Sequence, residues 1–86
     1  MTCRIDRFPT DQGLVLHISG RITGEDLDVL RTALEDGSVV AVELAELELI
    51  DRDVMKLLAI NEANGIELRH CPPYIREWIR SERDSS

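Results

Sequence analysis

The residues with the clearest chemistry lie where an apolar run ending at Ile50 meets an amphipathic stretch that begins with Asp51. An Asp at such a point is a typical helix N-cap, because its carboxylate accepts hydrogen bonds from unpaired N–H groups of the first turn. Those N–H groups also attract anions and binding partners. Arg52 and Asp53 would follow in the first turn, so the sequence predicts a charged binding surface at this helix start.

Other chemistries at these residues are less well supported. Asp51 and Asp53, with Glu46 and Glu48 before them, carry the oxygen ligands that Mg²⁺ and Ca²⁺ prefer, but alternating strand residues and a capping Asp do not converge on one point. The side chains with zinc-ligand chemistry lack the spacing of zinc sites; they are Cys3, His17, His70 and Cys71. No nucleophile with a base and an orienting group is recognisable. We therefore expect no metal, no cofactor and no enzymatic activity.

Composition narrows the class of protein further. The chain has 86 residues and a net charge of −7, which disfavours nucleic acid and anionic membrane surfaces as partners. The segment Met1–Gln12 lacks the apolar run of a signal peptide, and no stretch approaches the roughly 20 apolar residues of a membrane span. The two cysteines are then expected as free thiols in the cytoplasm. We expect a single domain over residues 1–86, with 81–86 as a frayed tail.

The pattern of apolar residues and turn signals predicts an α/β fold. The predicted strands cover residues 3–8, 14–19, 39–44 and 66–70. The predicted helices begin at the Thr23 N-cap, at Asp51 and at Pro72-Pro73, whereas residues 45–50 are a connection. The order β-β-α-β-α-β-α implies a four-stranded mixed sheet, an antiparallel hairpin followed by parallel strands. All three helices would lie on one face and leave the other partly open.

The order and spacing of several segments resemble the STAS domain, the fold of anti-sigma-factor antagonists. In that family a strand of the type Val-x-Leu-Asp-Leu-Ser leads to Phe-Ile-Asp-Ser-Ser-Gly-Leu and a helix, as Val40–Ala45 leads here to Leu49–Val54. Leu16–Ile22 is similar to the family's Leu-x-Gly-x-Leu strand end, and Asn64–Arg69 to its Gly-x-x-Leu-x-Leu strand. The resemblance covers residues 3–80.

The chain departs from this family at the residues that control switching. Switchable members are phosphorylated on the residue after the capping Asp, which here is Arg52, and the next position is Asp53. The Asp expected in the preceding strand is Glu43. Serine phosphorylation at this site is chemically impossible with these residues.

We therefore predict a non-catalytic protein–protein interaction module of the bacterial signalling type, without serine phosphoregulation at this helix. The implied partner is an anti-sigma factor or serine-kinase-like protein. The residues predicted to bind it are Arg21, Ile22, Thr23, Asp51, Arg52, Asp53, Met55 and Lys56. The alternative is a scaffold STAS subunit of an ABC-type lipid transport complex, which would rest on the ATPase.

A homodimer is a further possibility. The open face of the sheet could supply an apolar patch for it, formed by Val15, His17, Val39 and Ala41.

Overall fold

A computed structural model describes residues 3–84 and contains five strands and three α-helices. The strands are β1 (Cys3–Thr10), β2 (Gly13–Ile22), β3 (Val39–Glu43), β4 (Leu47–Ile50) and β5 (Glu67–Arg69). The helices are α1 (Leu27–Glu35), which follows a 3₁₀ turn at Gly24–Asp26, α2 (Arg52–Ala63) and α3 (Pro73–Asp84). The predicted α/β class is confirmed. Residues 81–84 continue α3, and residues 85 and 86 of the expected tail lie outside the described part.

The sheet is mixed, as predicted, and is built around β2. β1 and β2 form an antiparallel hairpin whose register runs from Cys3 opposite Gly20 to Thr10 opposite Gly13. β3 pairs in parallel with the first half of β2, and β5 pairs in parallel with β3. The β2–β3 and β3–β5 pairs require crossover connections, which include α1 and α2 respectively.

The prediction of four strands is wrong, because residues 47–50 form β4. This strand pairs in parallel with the end of β2, from Gly20 to Ile22, so β3 and β4 follow one another along the same edge of β2. In β4 the outer residues Leu47 and Ile50 are buried and the two between them are exposed. Because the buried residues Leu47 and Ile50 are three positions apart, the segment lacks the alternation of period two that predicts a strand.

The three helices cover one face of the sheet. Leu16, Ile18 and Ile22 of β2 join a single buried cluster with apolar residues from every helix. The helix residues in that cluster are Leu30, Ala33, Leu34, Val54, Met55, Leu58, Ala59, Ile75 and Ile79. Among residues 3–84, no helix is long and apolar enough to cross a membrane.

The opposite face of the sheet is only partly covered. Phe8 packs edge-on against His17, with ring centroids 5.7 Å apart, above the buried Val15. Val39 does not lie on this face as expected, because an irregularity in the β2–β3 register pairs Leu14 with Val39 but Val15 with Ala41. Val40 is the extra residue, and because of it the Val39 side chain points into the helix-covered core. The apolar patch on the open face is therefore smaller than predicted.

Candidate functional site

Asp51 connects the start of α2 with the end of β2. One carboxylate oxygen, Oδ1, accepts a hydrogen bond from the Val54 N–H at 3.1 Å, which is the predicted N-cap contact. The other oxygen, Oδ2, accepts one from the Gly24 N–H. The Asp51 N–H in turn donates to the Ile22 carbonyl at 3.3 Å. A single half-buried carboxylate therefore holds two segments that are distant in the sequence.

The loop opposite Asp51 is also held by a carboxylate. Asp26 accepts a hydrogen bond from the Thr23 N–H at 3.1 Å, the contact expected from a capping box. The Asp26 N–H donates back to the Thr23 carbonyl at 2.9 Å. The turn that begins here is 3₁₀, and the α-helix proper starts only at Leu27. Thr23 is thus held one residue before Gly24, whose N–H binds Asp51 at the start of α2.

Five of the predicted binding residues have side chains that reach solvent, either near the end of β2 or in the first turns of α2. Arg21, Arg52, Asp53 and Lys56 are exposed, and Thr23 is half-buried. We call these five residues the junction surface. Asp51 lies beneath them, with both of its carboxylate oxygens already engaged.

Two predicted binding residues are corrected by the structure. Ile22 and Met55 are each 0% exposed, so their side chains are not on the surface. Ile22 continues the alternation of Leu16 and Ile18 on the helix-covered face of β2, a signal that the sequence already carried. Met55 belongs to the buried stripe of α2, which is Val54, Met55, Leu58 and Ala59.

α3 contributes a carboxylate that the residue pattern alone did not indicate. Glu82 Oε1 lies 3.4 Å from Arg52 Nη2 and 3.8 Å from Lys56 Nζ. The Arg52 side chain is still 66% exposed, so solvent screens these contacts and each is worth about 1 kcal/mol or less. Glu82 follows the buried Ile75 and Ile79 at helical spacing, which could have indicated that it faces α2.

An exposed leucine adjoins the junction surface. Leu49 is 48% exposed and lies opposite Arg21 in the β2–β4 register, so the two side chains share a face of the sheet. A hydrogen bond joins α3 to β4: the Tyr74 hydroxyl donates to the Glu48 carbonyl at 2.8 Å. Leu49 is not among the residues predicted to bind, and residues 45–50 are predicted as a connection.

Glu43, at the position where the resemblance implies Asp, has structural partners. Its carboxylate oxygens lie 2.8 and 2.9 Å from His70 Nδ1, and Oε1 accepts from the Ala45 N–H at 3.2 Å. His70 has a φ of 53°, in the left-handed region, directly after β5. The glutamate therefore ties the turn after β3 to the end of β5.

The candidate metal ligands are dispersed. Within residues 3–84, no group of three or more His, Cys, Asp or Glu side chains could hold a metal ion. Cys3 and Cys71 are free thiols, both half-buried. Burial raises the pKa of both thiols, and for Cys3 the nearby Asp26 carboxylate raises the pKa further.

The junction surface offers charge and hydrogen bonding to another molecule. It carries three cations, one carboxylate and one hydroxyl, and the Asp51 carboxylate holds the neighbouring backbone through hydrogen bonds from Gly24 and Val54. The Arg52 side chain has no oxygen that could take a phosphoryl group. Comparison of the chain with protein-family models and with curated proteins finds no match in either set.

Proposed function

We propose that this chain is a non-catalytic docking module, similar to an anti-sigma-factor antagonist, that binds a partner protein through the junction surface. The observation that carries the proposal is the contrast between Asp51 and Arg52. Asp51 is held by hydrogen bonds to Gly24 and Val54, whereas Arg52, the next residue, extends into solvent. Because the backbone at Arg52 is already ordered, only the side chain has to lose conformational entropy when a partner binds it.

The expected partner surface is acidic at its centre. Arg52 and Lys56 already share the Glu82 carboxylate over 3.4 and 3.8 Å, which are long contacts for ion pairs. A carboxylate of the partner could form shorter, bidentate hydrogen bonds with the Arg52 guanidinium. Leu49 would add an apolar contact at the edge of the same surface. The partner that we propose is a serine-kinase-like anti-sigma factor in a bacterial cytoplasm, with an acidic surface that meets Arg52.

Binding through fixed charges would not be switched on the module itself. In phosphorylatable relatives of this fold, a phosphoryl group of about −2 charge prevents docking. Arg52 takes the place of the acceptor here, so control would act on the partner or on expression.

The same substitution favours a second candidate function. A scaffold subunit of an ABC-type lipid transporter would rest on its ATPase without being switched and needs no phosphoacceptor. Arg52 is compatible with that role, and the identity of the captured partner distinguishes the two.

The experiment is quantitative affinity capture from the native cytoplasm with the immobilised domain. Arg52→Glu reverses the central charge of the junction surface. Arg31→Glu is the matched control, because Arg31 is exposed on α1 and pairs only with the nearby Asp28 among the ion pairs found within residues 3–84. We expect a partner that Arg31→Glu retains and that Arg52→Glu loses at least tenfold.

The captured protein decides between the candidates. A serine-kinase-like protein or sigma-factor regulator supports the first function, and a transporter ATPase supports the second. Equal recovery by wild type and Arg52→Glu would overturn docking through the junction surface.

A further inference from the structure

The outer edge of β1 carries backbone groups without a strand beside them. Within the described residues, β1 pairs with β2 alone. Thr10 and Gly13 close the hairpin around a two-residue loop, and such a closing pair exchanges hydrogen bonds across the two strands. Counting back from Thr10, the N–H and C=O groups of Cys3, Ile5 and Arg7 therefore point outwards. Pro9 agrees with this parity, because a proline in a strand is tolerated where its missing N–H faces away from the ladder.

A groove lies beside this edge on the helix-covered side. It encloses about 460 Å³ and is lined by Cys3, Ile5, Glu25, Asp26 and Val29. Its floor is apolar, and Val29 is 63% exposed. Glu25 and Asp26 form an acidic rim. An extended segment that paired with β1 would direct every second side chain into this groove.

We propose that the segment is β1 of a second copy of this chain, paired antiparallel about a two-fold axis at Ile5. The two five-stranded sheets then become one continuous sheet. In this register Ile5 lies opposite Ile5 of the second copy, and Cys3 lies opposite its Arg7. Arg4 lies opposite its Asp6, and the same contacts recur on the other side of the axis.

Charge complementarity identifies the second copy as the occupant. Within one strand Arg4 and Asp6 form an ion pair with each other at 2.9 Å. Across the axis each faces the opposite charge of the second copy, in pairs without backbone hydrogen bonds whose Cα atoms are only about 4.5 Å apart. Arg7 of the second copy lies beside Cys3 and reaches the acidic rim of Glu25 and Asp26. The two Ile5 side chains cover the apolar floor of both grooves.

The same charges disfavour neighbouring registers. A two-fold axis at Arg4, Asp6 or Arg7 would place identical charges directly opposite one another, which is destabilising. Among residues 4–7, Ile5 is the one position that avoids this conflict. The pairing uses about five residues from each strand, so the dimer is small and its Kd is on the order of micromolar. This interaction is independent of the junction surface.

Disulfide trapping tests the register. With both native cysteines changed to serine, Ile5→Cys places two thiols in a hydrogen-bonded pair with Cα atoms about 5.5 Å apart, within the span of a disulfide. Arg7→Cys in the same background is the matched control, because its thiols would be about 13 Å apart along the strands. We expect a covalent dimer from Ile5→Cys on mild oxidation and monomer from Arg7→Cys. The register would be overturned if only Arg7→Cys formed a covalent dimer. It would also be overturned if neither variant did.

Sedimentation velocity over a concentration series tests the interface without an Ile5 substitution. Asp6→Arg sets two arginines opposite each other and should weaken the dimer at least tenfold. Arg4→Asp combined with Asp6→Arg restores opposite charges and should restore the dimer. Glu77→Arg on α3 changes the net charge equally and should have no effect. The proposal would be refuted if the wild type stayed monomeric at all concentrations. It would also be refuted if Asp6→Arg left the dimer intact, which would indicate association through another face, such as the open face of the sheet.

Discussion

The Asp51 carboxylate accepts a hydrogen bond from the backbone N–H of Gly24, a residue 27 positions earlier in the chain. The same carboxylate caps α2 through the Val54 N–H. The end of β2 and the start of α2 therefore share one side chain, and the orientation of the junction surface depends on it. In this chain the capping Asp has a structural role that is separate from the binding role we assign to Arg52.

Replacing Asp51 with alanine should destabilise the fold. The variant loses the N-cap bond to Val54 and the bond to Gly24, and we expect a loss of about 1–3 kcal/mol in the free energy of unfolding, measured with urea. Asp53→Ala is the matched control, since Asp53 is exposed in the same helical turn, and it should change stability by less than about 0.5 kcal/mol. Equal losses in the two variants would contradict a special role for Asp51.

Gly13→Ala should strongly destabilise the fold. Gly13 has a φ of +142°, and a Cβ there would lie 2.5 Å from the Ser38 carbonyl oxygen and 2.6 Å from Val40 Cγ1. Backbone strain and overpacking together predict a loss of about 2–4 kcal/mol in thermal or urea unfolding.

Gly37→Ala provides the control for the Gly13 substitution. A Cβ added to Gly37 would have no neighbouring atom within 4 Å, and the φ of this glycine is not positive. Its stability should change by no more than about 1 kcal/mol. A Gly13→Ala protein as stable as Gly37→Ala would show that β3 can move away from the start of β2.

Much of this architecture follows from local signals in the sequence. The alternation in β2, the Asp51 cap and the Pro72-Pro73 start of α3 each indicate an element by a short-range physical rule. β4 was not predicted because it pairs with the part of the β2 edge that β3 leaves free, from Gly20 to Ile22. This pairing is determined by the assembled sheet, and no short segment of the sequence indicates it.

The candidate site was predictable to a smaller extent. The position of the α2 start and the exposure of Arg52 follow from helix capping and periodicity. The contact with Glu82 spans 30 residues. Helical spacing places Glu82 near the buried side of α3, but it does not identify Arg52 as the partner. The position of Leu49 opposite Arg21 depends on β4 being a strand, which the sequence pattern did not indicate.

The acid dependence of stability should include a contribution from Asp36. The Ser38 hydroxyl at 2.7 Å and the Ser38 N–H at 3.1 Å stabilise the Asp36 carboxylate and hold its pKa below the usual value. A carboxyl pKa that is lower in the folded state stabilises the protein above the unfolded pKa. That stability is lost as the pH falls through the folded pKa.

Ser38→Ala removes the largest cause of this shift. NMR titration of the Asp36 carboxyl carbon should then give a pKa closer to that of an ordinary aspartate. Arg7→Gln, which removes only a weak electrostatic contribution, should raise the same pKa by less. If the two variants shift the pKa of Asp36 equally, the serine hydrogen bonds are not the main cause.

The reactivity of Cys71 should reflect its burial against α3. Burial raises the pKa of this thiol, the Arg76 guanidinium lowers it and the Glu62 carboxylate raises it, with burial dominant. Because the thiolate is the reactive form, alkylation by iodoacetamide in a Cys3→Ser background should reach its half-maximal rate at a higher pH than in the urea-unfolded chain. The unfolded thiol releases its proton first, so the free energy of unfolding should fall as the pH rises above the unfolded pKa. Arg76→Gln should move the alkylation midpoint to still higher pH, and a midpoint equal to that of the unfolded chain would mean that Cys71 is accessible to solvent.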